Sequence, residues 1–97
     1  MIFLSPDAAE DVERLRTFLG RNYPEAAKRA LAAIWKALER LQEHPGLGAP
    51  TDDADIRQIT IQFGAYGYIA RYIAYDGTGD ILVTRIWHGR EAREQQA

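Results

Sequence analysis

The sequence predicts an α+β domain in which two helices cover one face of a single sheet. Apolar residues recur at helical spacing through the first half of the chain, and the period changes to alternation after residue 55. The polar, turn-rich segment 44–55 separates the two halves. We expect one domain over residues 1–97, consisting of an N-terminal strand, an antiparallel helical hairpin and a three-stranded antiparallel meander.

The N-terminal strand and the first helix follow each other directly. The apolar run "IFL" can add a fourth strand to the meander. Ser5 is suited to cap the helix, Pro6 to occupy its first position, and acidic side chains to lie near the positive end of its dipole. The helix then presents an apolar stripe made of Ala8, Val12, Leu15 and Leu19.

The second helix is bounded by prolines. Pro24 opens it, and Pro45 with Gly46 stops it after about His44. Several positions of its apolar face are alanines, which allow the two helices to approach closely as a hairpin. That face comprises Ala27, Ala30, Leu31, Ile34, Ala37, Leu38 and Leu41.

Two strands of the meander are joined by the tight turn "DGTG", and this turn predicts their register. Ile73 should face Leu82, and the other pairs should be Arg71 with Thr84 and Ile69 with Ile86. One face would then carry Ile69, Arg71, Ile73, Tyr75, Leu82, Thr84, Ile86 and His88. The opposite face, assigned to the helices, would carry Tyr68, Ala70, Tyr72, Ala74, Ile81, Val83, Arg85 and Trp87.

Both predicted faces are largely apolar, whereas two helices can cover only one of them. An uncovered apolar face of this size indicates a partner. The partner could be a second copy in a homodimer or a different protein, unless the N-terminal strand and the long loop fold over the face. On the covered face, Arg85 is expected to pair with an acid such as Glu39 or Asp11.

Composition limits the function classes. The chain has no cysteine, a net charge of −2 and 27% charged residues, which argues against disulfides, a thiolate metal site and broad phosphate binding. The N-terminal apolar run is too short for a signal peptide, and no stretch reaches membrane-spanning length. No phosphate loop, metal-ligand cluster or nucleophile triad is present. We expect a cytoplasmic protein without metal or cofactor.

Several motifs, in this order, resemble a known family. The helix "NYPEAAKRAL…ALERLQEHPGLG", the strands "DIRQITI" and "YGYIARYIAYD", and the closing "ILVTRIWHGRE" are similar to the ParE/RelE superfamily of toxins from bacterial toxin–antitoxin systems. The resemblance covers nearly the whole chain. It implies a toxin that is held by a cognate antitoxin.

The resemblance implies one of two activities. The resemblance to the RelE branch implies cleavage of ribosome-bound messenger RNA by a basic residue in the penultimate strand, an arginine after the last strand and often a tyrosine or histidine in the tail. Here Ile69 and Gln96 stand at two of these positions and only Arg90 matches, with His88 as a substitute acid or base. The ending "HGRE" is closer to the ParE branch, whose members bind DNA gyrase without known catalytic residues. A third hypothesis is a toxin fold kept as a harmless binding module.

These considerations assign residues to roles. The only catalytic candidates are His88 and Arg90, which Gly89 would turn away from the core by a backbone bend. The residues expected to bind the target, gyrase or alternatively the ribosome, are Arg57, Arg71, His88, Arg90 and Arg93. The residues expected to bind the antitoxin are Ile69, Ile73, Leu82 and Ile86.

Overall fold

The computed structural model describes residues 1–91. Its elements are β1 (Ile2–Leu4), α1 (Pro6–Asn22), α2 (Pro24–Glu43), β2 (Ala49–Pro50), β3 (Arg57–Ile61), β4 (Tyr68–Tyr75) and β5 (Asp80–His88). They form one sheet in the order β1-β5-β4-β3-β2, with β1 parallel to β5 and the other neighbours antiparallel. The predicted α+β fold is confirmed, and the short β2 is an addition within the segment expected to be loop.

Both helices begin where the sequence predicts. The Oγ of Ser5 accepts a hydrogen bond from the backbone N–H of Ala8 at 3.0 Å, and Pro6 and Pro24 occupy the first helical positions. The helices pack on one face of the sheet. The core between them consists of Ala8, Leu15, Ala30, Ile34, Leu38, Leu41, Ile59, Ile61, Tyr68, Ala70, Tyr72, Ile81, Val83 and Ile86. No helix within residues 1–91 is long and apolar enough to cross a membrane.

The end of α2 is tied to the sheet through Tyr72. The Tyr72 hydroxyl, which is buried, donates to the carbonyl oxygen of Pro45 at 2.7 Å and accepts from the N–H of Gly48 at 2.8 Å. A Cβ at position 48 would lie 2.7 Å from that hydroxyl oxygen, so only glycine fits there. The "HPGLG" segment is therefore held against β4 by one buried side chain.

A β-bulge in β5 overturns part of the predicted register. Ile73 does face Leu82, but beyond Tyr72 the register shifts so that Arg71 faces Arg85 and Ile69 faces Trp87. Thr84 is the extra residue, and its Oγ1 donates to the carbonyl oxygen of Arg71 at 3.2 Å. A one-residue shift moves the side chains that follow to the other face of the strand.

The bulge therefore corrects the assignment of four residues. Arg85 and Trp87, predicted on the helix-covered face, lie on the opposite one. Ile86 is fully buried in the core rather than open to a partner, and His88 lies opposite Tyr68 on the helix-covered side.

Candidate functional site

The buried carboxylate of Asp11 joins α1 to β5. Its Oδ2 accepts hydrogen bonds from the Nε of Arg85 and from the backbone N–H of Ile86, both at 2.8 Å. Its Oδ1 accepts from the Nη1 of Arg14 at 2.7 Å and from the Nη2 of Arg85 at 3.3 Å. The predicted ion pair of Arg85 with an acid is thus confirmed for Asp11, although Arg85 reaches it from the uncovered side of the sheet.

Asp11 remains ionised although it is only 2% exposed. Burial by itself raises the pKa of a carboxyl, but hydrogen bonds from Arg85, the Ile86 amide and Arg14 favour the charged form and hold the pKa of Asp11 below its ordinary value. The Nη2 of Arg14 also donates to Glu91 at 2.8 Å. The same guanidinium therefore links α1 to the helical turn that follows β5.

A groove of about 250 Å³ lies between α1 and the end of β5. One side is apolar, and it includes Phe18, which is 70% exposed. The other side carries the polar groups of the chain end. We call it the C-terminal groove, and it is lined by Leu15, Phe18, Leu19, Tyr68, His88, Arg90 and Glu91.

His88 is half-buried at one end of this groove. Its ring centroid lies 5.4 Å from that of Tyr68 in an edge-to-face arrangement and 5.7 Å from that of Tyr66. Its Nδ1 accepts from the backbone N–H of Arg90 at 3.3 Å, which leaves Nε2 as the nitrogen available to another molecule. Burial, with a contribution from Glu91, raises the pKa of the Tyr68 phenol, so Tyr68 stays neutral near pH 7.

Gly89 is required for a different reason from the one predicted. Its φ is not positive, so the chain needs no special bend there. Instead its N–H donates to the carbonyl oxygen of Gly67 at 2.9 Å, and a Cβ at position 89 would clash with the carbonyl oxygen of Tyr66. The His88 side chain packs on tyrosines rather than turning away from the core, whereas Arg90 is exposed.

The sheet face opposite the helices is the second candidate surface. Ile69, Ile73 and Leu82 lie on it and are half-buried, and Phe3 beside Leu82 is 45% exposed. Trp87 is 6% exposed although it lies on this face, because Arg71 and Arg85 stack on its ring. We call this surface the open face, and it comprises Phe3, Ile69, Arg71, Ile73, Leu82, Arg85 and Trp87.

Of the residues predicted to bind the target, only His88 and Arg90 lie together among the described residues. Arg57 lies at the β2 side of the sheet, where its Nη1 donates to the carbonyl oxygen of Gly48 at 2.8 Å. It is the first residue of β3, and the last residue of that strand, Ile61, is about 13 Å away along the strand. Arg71 is on the open face, and His88 and Arg90 are at the C-terminal groove. Arg93 and Gln96 lie outside the described residues.

Sequence reasoning named Asp11 as one possible partner of Arg85 but missed its bonds to Arg14 and to the Ile86 amide, and it placed Trp87 on the covered face. Asp11 stands early in a helix, where an acid is already explained by the dipole. Its spacing of three from Arg14 was an available signal for an ion pair within the helix. Within residues 1–91, no three histidine, cysteine, aspartate or glutamate side chains are grouped so that they could hold a metal ion.

Comparison with known proteins places these surfaces in a family context. A model of the ParE toxin of type II toxin–antitoxin systems, parDE, matches residues 2–93. The chain is 34% identical to Toxin RelE3 of Caulobacter vibrioides over 90 residues, which cover 93% of this chain and 95% of that toxin. It is 36% identical to Toxin RelE1 of the same organism over 92 residues, which cover 95% and 96%.

A solved structure shares the fold. A chain of the chromosomal ParDE toxin–antitoxin system from P. aeruginosa superimposes with a TM-score of 0.71, covering 90% of this chain and 92% of that chain. The two sequences are 21% identical, so the likeness concerns the arrangement of helices and strands.

Proposed function

The chain belongs to the ParE toxin family of type II toxin–antitoxin systems, and from that premise we propose that it acts by binding DNA gyrase without catalysing a reaction of its own. As the toxin of such a system it has a cognate antitoxin as its partner. The target and the absence of chemistry are the proposed parts. The ending "HGRE", which resembles the gyrase-binding branch, favours them.

The single observation that carries the proposal is the dispersal of the basic side chains. A ribonuclease needs an acid, a base and a cation within reach of one phosphate. Here Arg57, Arg71 and Arg90 lie at the β2 side of the sheet, on the open face and at the C-terminal groove respectively. Within residues 1–91, these three positive charges therefore face three different parts of the surface.

The remaining titratable groups at the C-terminal groove also favour binding over chemistry. Tyr68 is kept neutral by burial, and its ring, which is 2% exposed, packs edge-to-face against the His88 ring. Ile69, at the position of the RelE-branch arginine, is half-buried on the open face and has no group that can stabilise a charge. His88 is the one imidazole among the described residues that line the groove.

We assign gyrase binding to the exposed rim of the C-terminal groove. Arg90 is exposed there, and an arginine presents a planar fork of donors that a neutral residue lacks. Arg90→Ala should therefore weaken gyrase inhibition strongly, whereas Arg29→Gln, which removes an exposed charge from the outer side of α2, should leave inhibition unchanged. Equal inhibition by both variants and the wild type would remove Arg90 from the binding surface.

We assign antitoxin binding to the open face. Ile69, Ile73 and Leu82 form an apolar strip there, and the burial of apolar surface drives most protein associations. An amphipathic helix or an extended segment of the antitoxin fits such a strip. Ile86, once expected in this set, is excluded because the core buries it completely.

The alternative activity is messenger RNA cleavage on the ribosome. The curated relatives carry the name RelE, which is the observation that favours this alternative. In this case His88 would be the proton-transfer group at the C-terminal groove. His88→Gln would then lower the cleavage rate by roughly two to four orders of magnitude, whereas a gyrase-binding toxin would lose only one contact.

Two parallel assays decide between the activities. Purified toxin is added to gyrase with relaxed plasmid, and separately to a reconstituted translation reaction in which messenger length is followed. We expect supercoiling to stop while the messenger stays intact. Cleaved messenger with normal supercoiling would overturn the proposal in favour of the ribonuclease.

A further inference from the structure

Two arginines face each other on the open face. Arg71 of β4 is the direct cross-strand partner of Arg85 of β5, and their guanidinium carbons lie 5.1 and 5.0 Å from the centroid of the Trp87 ring. Like charges directly opposite one another destabilise a sheet. Stacking on an aromatic ring offsets part of that repulsion. A negative charge nearby would offset the remaining repulsion between the two guanidinium groups.

The described chain supplies a carboxylate to only one of these two arginines. Arg85 is bound to Asp11 at 2.8 Å, whereas Arg71 donates through Nε to the neutral side-chain oxygen of Gln58 at 3.0 Å. Within residues 1–91, the Nη1 and Nη2 groups of Arg71 make no hydrogen bond. The Nε1 of Trp87 is buried and also without a partner in that part of the chain. This part of the open face thus presents the Nη1 and Nη2 donors of Arg71 without a carboxylate from the described chain to accept them.

We propose that the antitoxin places a carboxylate on Arg71, with apolar side chains of the same segment packed on Ile73 and Leu82. The proposal rests on the proposed function, because it takes the antitoxin as the occupant of the open face. Charge complementarity supports it, because the Arg85 guanidinium is neutralised by Asp11 whereas the Arg71 guanidinium has no carboxylate from the described chain. A carboxylate can accept two parallel N–H groups from an arginine, which also fixes the position of the segment along the strand.

The surroundings of Arg71 favour an acidic protein segment over a nucleic acid. Protein surfaces that bind nucleic acid are strongly positive, since each phosphate contact needs its own cation or donor. Arg71 is flanked instead by Ile69 and Ile73 on its own strand, and the nearest other cation is already paired with Asp11. An interface core of apolar side chains around one buried charge pair fits a protein partner.

The test compares affinities for the full-length cognate antitoxin. Arg71→Gln removes the positive charge of Arg71 from the open face, and Arg29→Gln removes an exposed charge from α2 as a matched control. Ile73→Asp tests whether the antitoxin binds the open face at all. Each toxin variant is titrated by calorimetry, and its thermal unfolding is recorded alone. A double-mutant cycle with each acidic residue of the antitoxin then locates the partner of Arg71.

We expect Arg71→Gln to weaken the complex on the order of 30-fold or more, with one antitoxin carboxylate coupled to it. Arg29→Gln should bind like the wild type, and Arg71→Gln alone should unfold close to the wild-type temperature, because it relieves a like-charge contact. If Ile73→Asp abolishes binding while Arg71→Gln binds normally, the antitoxin uses the open face but this proposal is wrong. If both variants bind normally, the assignment of antitoxin binding to the open face is wrong as well. The proposal would be overturned in favour of a nucleic acid if the wild type bound a phosphorothioate oligonucleotide and Arg71→Gln did not, while both bound the antitoxin equally.

Discussion

Replacing Asp11 by alanine should destabilise the toxin strongly. The change removes the acceptor of the buried Ile86 N–H, which costs about 1–3 kcal/mol when left unsatisfied. It also removes the shared partner of Arg85 and Arg14, whose side chains are 38% and 43% exposed and can turn to water. Because of that exposure we take the lower end of the range for a broken buried ion pair and expect a loss of about 3 kcal/mol.

Urea unfolding at pH 7 measures this loss, and thermal unfolding should show a drop of roughly 12–24 °C for a domain of this size. Glu13→Ala is the matched control, because Glu13 also lies on α1 and pairs with an arginine, Arg16, but both side chains are more than half exposed. An exposed pair of this kind contributes about 0–1 kcal/mol.

The pH dependence follows from the lowered pKa of Asp11. A carboxyl whose pKa is depressed in the folded state stabilises the protein at pH values above its unfolded pKa, and this stability is lost as pH falls through the folded pKa. The difference between the wild type and Asp11→Ala should therefore be full at neutral pH and shrink below about pH 4. A variant within about 0.5 kcal/mol of the wild type at pH 7 would refute this reasoning.

Two further predictions concern Tyr72 within β4 and Gly89 directly after β5. Tyr72→Phe leaves the N–H of Gly48 without its buried acceptor and should lower the free energy of unfolding, measured with denaturant, by about 2 kcal/mol. Tyr75→Phe, at a half-exposed position, serves as the control. Equal stability of the two variants would contradict the proposed contribution of the Tyr72 hydroxyl. Gly89→Ala forces a Cβ against the carbonyl oxygen of Tyr66 and should cost about 1–3 kcal/mol together with part of the gyrase inhibition. A Cβ at Gly46 would meet open space, so Gly46→Ala should leave stability and inhibition unchanged. An equal loss of stability in Gly46→Ala would show that the cost of Gly89→Ala is not steric.

Much of the fold could be predicted because local signals were strong. Ser5 and Pro6 mark a helix start whatever the tertiary context, and two prolines bound the second helix. The "DGTG" turn set the pairing of Ile73 with Leu82 correctly, because register in a hairpin is fixed by its turn.

The open face could be predicted only in part, because the register does not persist past the bulge. The stretch "TRIWH" contains no glycine or proline to signal an extra residue. The register shift accompanies hydrogen bonds between residues far apart in sequence. The Oγ1 of Thr84 donates to the carbonyl oxygen of Arg71, and the backbone N–H of Ile86 donates to Asp11 Oδ2. Alternation along β5 therefore gave the right side for Leu82 and the wrong side for Ile86 and Trp87.

The C-terminal groove depended on contacts that sequence spacing does not encode. The positions of His88 and Arg90 at the end of the last strand were predicted correctly, but the packing of His88 between two tyrosines was not. The need for Gly89 arises from the carbonyl of Tyr66, which lies 23 residues earlier in the chain and is brought close by the turn before β4.

The most direct test of gyrase binding without catalysis is the stoichiometry of inhibition. Toxin is titrated into a fixed amount of gyrase, supercoiling is measured at each ratio, and antitoxin is then added back. A binding toxin must be present in amounts comparable to gyrase, so we expect inhibition to saturate near equimolar toxin and to be reversed by equimolar antitoxin. Unimpaired supercoiling at a large excess of toxin, with messenger RNA cut by far less toxin than ribosomes, would contradict the proposal.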